Sequence, residues 1–180
     1  MGPSSLMNFL FSSTKRTFGI LFFICIGMMA VALFMEHFLM LKPCMLCYMQ
    51  RGAVLILGLI AAIGYLINPK SIKVYKGFLV ASYVALFSGI GLSLRQLYLQ
   101  SLPAELVPSC APDVDYLLDT LPFLEVLIMA ITGDGNCAEV LWSFMGISIP
   151  GWLLVGFLVI FIYLTKIFIS ANEIHSHKKN

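Results

Sequence analysis

The chain has 180 residues, 60% of them hydrophobic and 11% charged, with a net charge of +2. Soluble domains carry roughly 25% charged residues, so this composition excludes a water-covered globule and leaves a membrane protein. The small positive balance does not point to nucleic acid either, because no basic patch with interleaved aromatics accompanies it.

Four stretches are apolar over about the 20 residues needed to cross a ~30 Å hydrocarbon core: 17–34, 46–67, 77–94 and 151–169. In lipid the backbone N–H and C=O groups must be satisfied within their own segment, so each stretch is predicted to be a helix. The expected fold class is therefore all-α, a four-transmembrane-helix bundle forming a single membrane domain over 1–180. Lys15 and Arg16 ahead of the first stretch resemble the start of a signal peptide, but the run is too long, has no small-x-small cleavage site and ends in Glu36 and His37. The opening residues 1–6, ahead of a second candidate start at Met7, are set aside as a stretch that need not be native.

Lys and Arg near span ends orient the chain by the positive-inside rule. Lys15 and Arg16, then Lys70, Lys73 and Lys76, then Lys166, Lys178 and Lys179 place both termini and the 68–76 connection in the cytoplasm. The 95–150 connection has no Lys or Arg beyond Arg95 but carries Glu105, Asp113, Asp115, Asp119, Glu125, Asp134 and Glu139, and is expected outside. By alternation 35–45 is outside too. Within the long outer loop the apolar run from Val114 to Ile128, interrupted by Pro122, is too short and too acid-flanked to span; it reads as a short amphipathic helix lying in the interface, or otherwise as the core of a small folded loop. Gly133-Asp134-Gly135-Asn136 supplies turn chemistry just before Cys137. Trp142, Trp152, Tyr98 and Tyr48 fall near span ends, as an interfacial aromatic belt would.

Five cysteines are present. Cys25 lies mid-span among apolar neighbours and reads as a small hydrophobe. The other four fall on the outer side: Cys44 and Cys47 at the mouth of the second span, Cys110 and Cys137 in the long loop. Cys44-Met45-Leu46-Cys47 is a Cys-x-x-Cys motif, which can bridge and separate at modest cost. Zinc would want a second close-spaced pair of ligands, and a c-type haem would want His where Tyr48 stands; His175 and His177 in the polar tail do not make a metal site, and none is expected. For Cys110 and Cys137 taken alone, a static disulfide and a redox pair are equally open readings. The setting of the first pair favours redox chemistry. Pro43 suits a helix start, which places both cysteines at the positive end of the helix dipole, where a thiolate is stabilised. Arg51 follows Cys47 by four residues, on the same helix face. An arginine at that depth marks a functional site by default, against the plainer reading that it snorkels to the headgroups. In the sharper reading Arg51 stabilises the Cys47 thiolate and hydrogen-bonds a quinone carbonyl.

The run Leu41-Lys42-Pro43-Cys44-Met45-Leu46-Cys47-Tyr48-Met49-Gln50-Arg51 resembles the Lys-Pro-Cys-x-x-Cys-x-x-x-Arg signature of the quinone-dependent membrane disulfide oxidases called disulfide bond formation protein B. Gly133-Asp134-Gly135-Asn136-Cys137-Ala138-Glu139, followed by Trp142, Phe144, Gly146 and Pro150-Gly151-Trp152, matches the same family around the second pair, so the resemblance covers nearly the whole chain. It implies a bacterial inner-membrane enzyme with its cysteines on the periplasmic side. A reduced periplasmic thioredoxin-like dithiol oxidase would attack a Cys110–Cys137 disulfide through Cys110, Cys137 would attack a Cys44–Cys47 disulfide, and Cys47, nearest Arg51, would pass the electron pair to a quinone. Ubiquinone and menaquinone suit an apolar pocket with one cation equally. Some relatives have a His shortly after the third span; here Leu94-Arg95-Gln96-Leu97-Tyr98-Leu99-Gln100 has none, and Arg95 either replaces it or anchors the span end. Paralogues dedicated to a single partner share the signature, and a non-catalytic, disulfide-stapled membrane scaffold is the alternative from a different class. A reductase running the other way would need a cytoplasmic-side cysteine pair, and the sequence has none.

Overall fold

The computed structural model describes residues 14–110, 112 and 114–177, the side chains of 104, 114, 115, 118, 123 and 170–177 excepted. The opening residues 1–6 with Met7, Asp113, Lys178 and Lys179 lie outside the described residues, as do the side chains of His175 and His177.

Among the described residues, four helices are long and apolar enough to cross a membrane: α1 (Thr14–His37), α2 (Met45–Ile67), α3 (Ile72–Gln100) and α7 (Ile149–His177), the last spanning over Ile149–Ile169. The chain is a multi-pass membrane protein with a four-helix bundle. α1 packs on α2, α2 on α3 and α3 on α7, while α7 and α1 meet only sparsely. Burial of apolar area against lipid gives little driving force, so contact between helices relies on close packing over small residues. Phe18 of α1 lies directly over Gly64 of α2, where an added Cβ would come within 2.8 Å of its ring. Phe157 of α7 fits over Gly89 of α3 in the same way, at 2.5 Å. Both rings are fully buried, in a core that also holds Leu21, Leu57, Leu86 and Ile160. Outward-facing Phe23, Leu59, Val84 and Ile162 remain exposed, as a lipid-facing surface requires.

Polar groups inside the bundle find local partners. Ser82 and Ser93 donate to the carbonyls of Phe78 and Gly89 one turn back, and Tyr83 Oη donates to Thr165 Oγ1 across α3 and α7 at 3.1 Å. α2 stops at Asn68, which takes the left-handed conformation (φ 45°) and returns its N–H to Gly64 O, with Pro69 behind it.

α3 continues past the apolar stretch 77–94 to Gln100. Its last turns are polar, and the long loop that follows packs on them: Gln96 is 3% exposed, Leu99 1%. That loop contains a 3-10 turn (Ala104–Leu106), then α4 (Val114–Thr120), α5 (Phe123–Thr132) and the single turn α6 (Gly135–Ala138). The apolar segment between the loop cysteines is thus two short helices, because Pro122 ends one and opens the next, its carbonyl accepting from Glu125 and Val126 N–H. α5 buries Val126 and Ala130 against the protein and exposes Leu124, Ile128 and Ile131 on another face, the pattern of a helix lying in a lipid interface. Val126 and Ala130 join Leu117, Met45, Leu46, Leu99 and Cys137 in a second core at the long-loop end of the bundle. This second core clamps the loop onto the start of α2.

A two-residue hairpin, β1 (Ser143–Phe144) and β2 (Ile147–Ser148), precedes α7, pairing Ser143 with Ser148 and Phe144 with Ile147. Its turn residues Met145 and Gly146 both have positive φ (52° and 78°), as a tight two-residue hairpin demands. The alternation over so few residues is too brief to read from the sequence.

Candidate functional site

Cys44 is the N-cap of α2, and Pro43 stands one residue before it, so the proline precedes the helix rather than occupying its first turn. Cys47 lies in the first turn, and the two sulfurs are 3.3 Å apart as unbonded thiols. Leu46 between them is fully buried, which fixes the rotation of this turn.

Cys137 is also fully buried. α6 carries it, with Asp134 Oδ1 accepting from the Cys137 N–H at 3.2 Å and steadying the turn as an N-cap. Its thiol lies beside that of Cys44, which packs against the same core. Cys44 therefore sits between two sulfurs: contact with Cys137, then with Cys47, together with burial, holds its thiol well above the usual range.

Cys110 is exposed. It lies against the turn that carries Cys137: Gly135 N donates to Ser109 O at 3.2 Å, and a Cβ on Gly135 would come within 2.6 Å of Pro108 O and 2.9 Å of Cys110 Sγ. Only glycine allows this approach. These four cysteines thus form a series, from Cys110 at the surface through buried Cys137 to Cys44 and Cys47.

Below Cys47 lies a cavity of about 630 Å³ between α1, α2, α7 and the hairpin. Ile24, Met28, Val54 and Leu153 line it with hydrocarbon, while Cys47, Gln50 and Arg51 bring polar atoms to one side. Trp142 stacks on Phe144 and Phe144 leans on Trp152, each with centroids 6.1 Å apart, and Trp152 Nε1 donates to Phe144 O at 3.2 Å. The two tryptophans therefore do more than mark the interface: both also line the cavity, alongside Phe144.

Arg51 lines the cavity, but its terminal nitrogens are engaged on α1: Nη1 pairs with the Glu36 carboxylate, and Nη2 donates to Ala32 O at 3.2 Å. Its guanidinium also lies over the Tyr48 ring, 5.7 Å from the centroid. The polar groups hydrogen-bonded to the Cys47 sulfur are Cys44 and Gln96. Gln96 Nε2 is 3.4 Å from both sulfurs, and Gln96 Oε1 accepts from Gln50 Nε2 at 2.9 Å. Glu36, Gln50 and Gln96 were not singled out from the sequence. Their signal was there, since a polar side chain at the edge of a span needs a partner. Arg95 is not at the cavity; its Nε and Nη2 donate to Thr132 O (3.2 and 2.9 Å), closing the end of α5, and its guanidinium lies over Tyr98.

The family model for disulfide bond formation protein DsbB matches residues 14–167. Proteins named disulfide bond formation protein B from Marinobacter nauticus and Hahella chejuensis are 46% and 47% identical over 147 and 148 residues. These matches cover 81% of this chain in both cases and 86% and 88% of the relatives. One from Nitrosococcus oceani is 44% identical over 148 residues, with 81% of this chain and 86% of the relative covered. On sequence, spans and cysteine placement together, the chain belongs to the disulfide bond formation protein DsbB family.

Proposed function

We propose that this protein is an inner-membrane disulfide oxidase that reoxidises a periplasmic thioredoxin-like dithiol oxidase and delivers the electrons to a membrane quinone. The observation that carries the reading is the order of the sulfurs: Cys110 exposed, Cys137 buried and in contact with Cys44, Cys44 beside Cys47, and Cys47 on the wall of an apolar cavity. The distribution of Lys and Arg supports loops 35–45 and 95–150 in the periplasm, with both termini and 68–76 in the cytoplasm.

Each transfer is thiolate attack on a disulfide sulfur. A partner thiolate attacks Cys110 Sγ, forming a mixed disulfide and releasing Cys137 as thiolate. The partner's second thiol then displaces Cys110, so the partner leaves oxidised and Cys110 and Cys137 hold two electrons and two protons. Cys137 next attacks Cys44 Sγ, the sulfur it touches; the Cys44–Cys47 bond breaks with its electron pair on Cys47. Cys110 displaces Cys44 from Cys137, which restores the loop disulfide and leaves Cys44 and Cys47 reduced. Because Cys137 touches Cys44, the thiolate appears on Cys47, at the cavity.

The cavity fits a quinone: its walls are apolar, its volume lies in the range of small-molecule sites, and its polar groups gather at one side, where Arg51 and Cys47 would hold the head group. A quinone bound there supplies a sink for two electrons and two protons. The test is quinone reduction followed optically in detergent, with a reduced thioredoxin-fold dithiol protein as donor. Wild-type turnover that vanishes in Cys47→Ser is expected; turnover retained in Cys47→Ser would overturn the route.

A further inference from the structure

Two buried amides meet at the reactive sulfurs, and the thiol chemistry above leaves both unused. Gln50 and Gln96 are 2% and 3% exposed, deep enough for each polar atom to need a partner. Gln50 Nε2 donates to Gln96 Oε1 at 2.9 Å, which commits the Gln96 carbonyl to α2. Turning the Gln96 amide over would set two NH2 groups against each other. Its Nε2 therefore faces Cys44 Sγ and Cys47 Sγ, 3.4 Å from each. Arg51, the nearest cation on the same helix face, spends its terminal nitrogens on Glu36 and Ala32.

We propose that Gln96 is a catalytic residue whose amide, oriented by Gln50, donates to Cys47 Sγ and stabilises the thiolate released when the Cys44–Cys47 disulfide opens. This rests on the disulfide-oxidase reading. When Cys44 is attacked, the S–S bond breaks and its electron pair stays on Cys47; the amide keeps its own protons and contributes a hydrogen bond alone. A bond from N–H to a charged sulfur is stronger than one to a neutral thiol, so the contact favours the leaving thiolate over the ground state. Gln96 does not titrate, so this donor stays constant across the pH range in which thiols change charge. Gln50 touches neither sulfur and is a positioning residue. Once the pair is reduced, the same amide faces both thiols, with its oxygen 3.7 Å from Cys47 Sγ as acceptor for the S–H.

The test is alkylation of the fully reduced, full-length protein by iodoacetamide in detergent, read peptide by peptide by mass spectrometry. Exposed Cys110 serves as internal reference. Gln96→Leu should slow Cys47 alkylation at pH 7 about tenfold, the worth of one charge-assisted hydrogen bond, with the rate recovered at higher pH and Cys110 unchanged. Gln96→Glu keeps the size and the bond from Gln50 but replaces the donor with an anion, and should slow Cys47 at least as much. Gln50→Leu should produce a smaller shift of the same kind. An unchanged Cys47 profile in both Gln96 variants, or equal slowing of Cys47 and Cys110, overturns the proposal. The assay needs neither quinone nor partner: turnover surviving in Cys47→Ser would sink the oxidase reading, whereas an unaltered alkylation profile sinks only the role of the amide.

Discussion

Arg51 offers the sharpest test of how the cavity works, because its structural and ligand-binding roles predict different numbers. Its side chain is 18% exposed and that of the paired Glu36 25%. Removing one partner of a fully buried ion pair costs about 3–5 kcal/mol, and an exposed pair is worth about 0–1 kcal/mol. A half-buried pair at a span end falls between, so Arg51→Ala should destabilise the protein by about 1–3 kcal/mol, mainly by leaving Glu36 without its counter-charge. The ligand term is separate. A hydrogen bond from a guanidinium to a quinone carbonyl is worth about 1.5–3 kcal/mol, which raises the quinone KM about 10- to 100-fold, every 1.4 kcal/mol being tenfold. The double variant Arg51→Ala/Glu36→Gln separates the two terms: it removes the orphaned carboxylate and should regain much of the thermal stability, while the quinone KM stays high. The assay is steady-state quinone reduction at varied quinone and varied dithiol partner, with unfolding in the same detergent followed in parallel. If the double variant restores the quinone KM, or if Arg51→Ala raises the KM of both substrates equally, Arg51 acts through structure and the cavity assignment fails.

Two further substitutions probe close approaches in the fold. Gly135→Ala drives a methyl into Pro108 O and Cys110 Sγ, so the step that takes electrons from the protein partner should slow while the quinone KM is unchanged; stopped-flow oxidation of the reduced partner measures it, and a normal rate would show that the Cys110 turn yields freely. Gly89→Ala puts a methyl into the Phe157 ring and should cost about 1–3 kcal/mol through overpacking, lowering the unfolding temperature in detergent with turnover per folded molecule intact.

The fold was legible wherever lipid imposes the rule. A span must be apolar and helical whatever its neighbours are, so composition alone located four helices. The ends were less legible because tertiary partners decide them: α3 runs on to Gln100 since Arg95, Gln96 and Gln100 bond to Thr132, to the sulfurs and Gln50, and to Glu139 O and Ser148. Spacing drew attention to Cys44, Cys47 and Arg51, because all three share the start of one helix. It did not find Glu36 or Gln96, which reach the same place from other helices. Their contacts are long-range in sequence, and local periodicity carries no trace of them.

The turn around Cys137 shows how a long loop can serve an exchange that needs precise sulfur positions. Its backbone is tied to Ser109, one residue before Cys110, while its side chain is sunk in the second core against Cys44. One short turn thus adjoins both Cys110 and Cys44. In the proposed route, transfer of a disulfide from Cys110 to Cys44 would proceed through local rotation about Cys137, with α4 and α5 still seated on Leu46 and Leu99. Holding the loop in place also lowers the entropic cost of each encounter between pairs, since a tethered thiol acts at high effective concentration. In the proposed reaction, specificity for a soluble partner would lie at the exposed Cys110 side of the turn, because Cys137 is closed to anything as large as a protein.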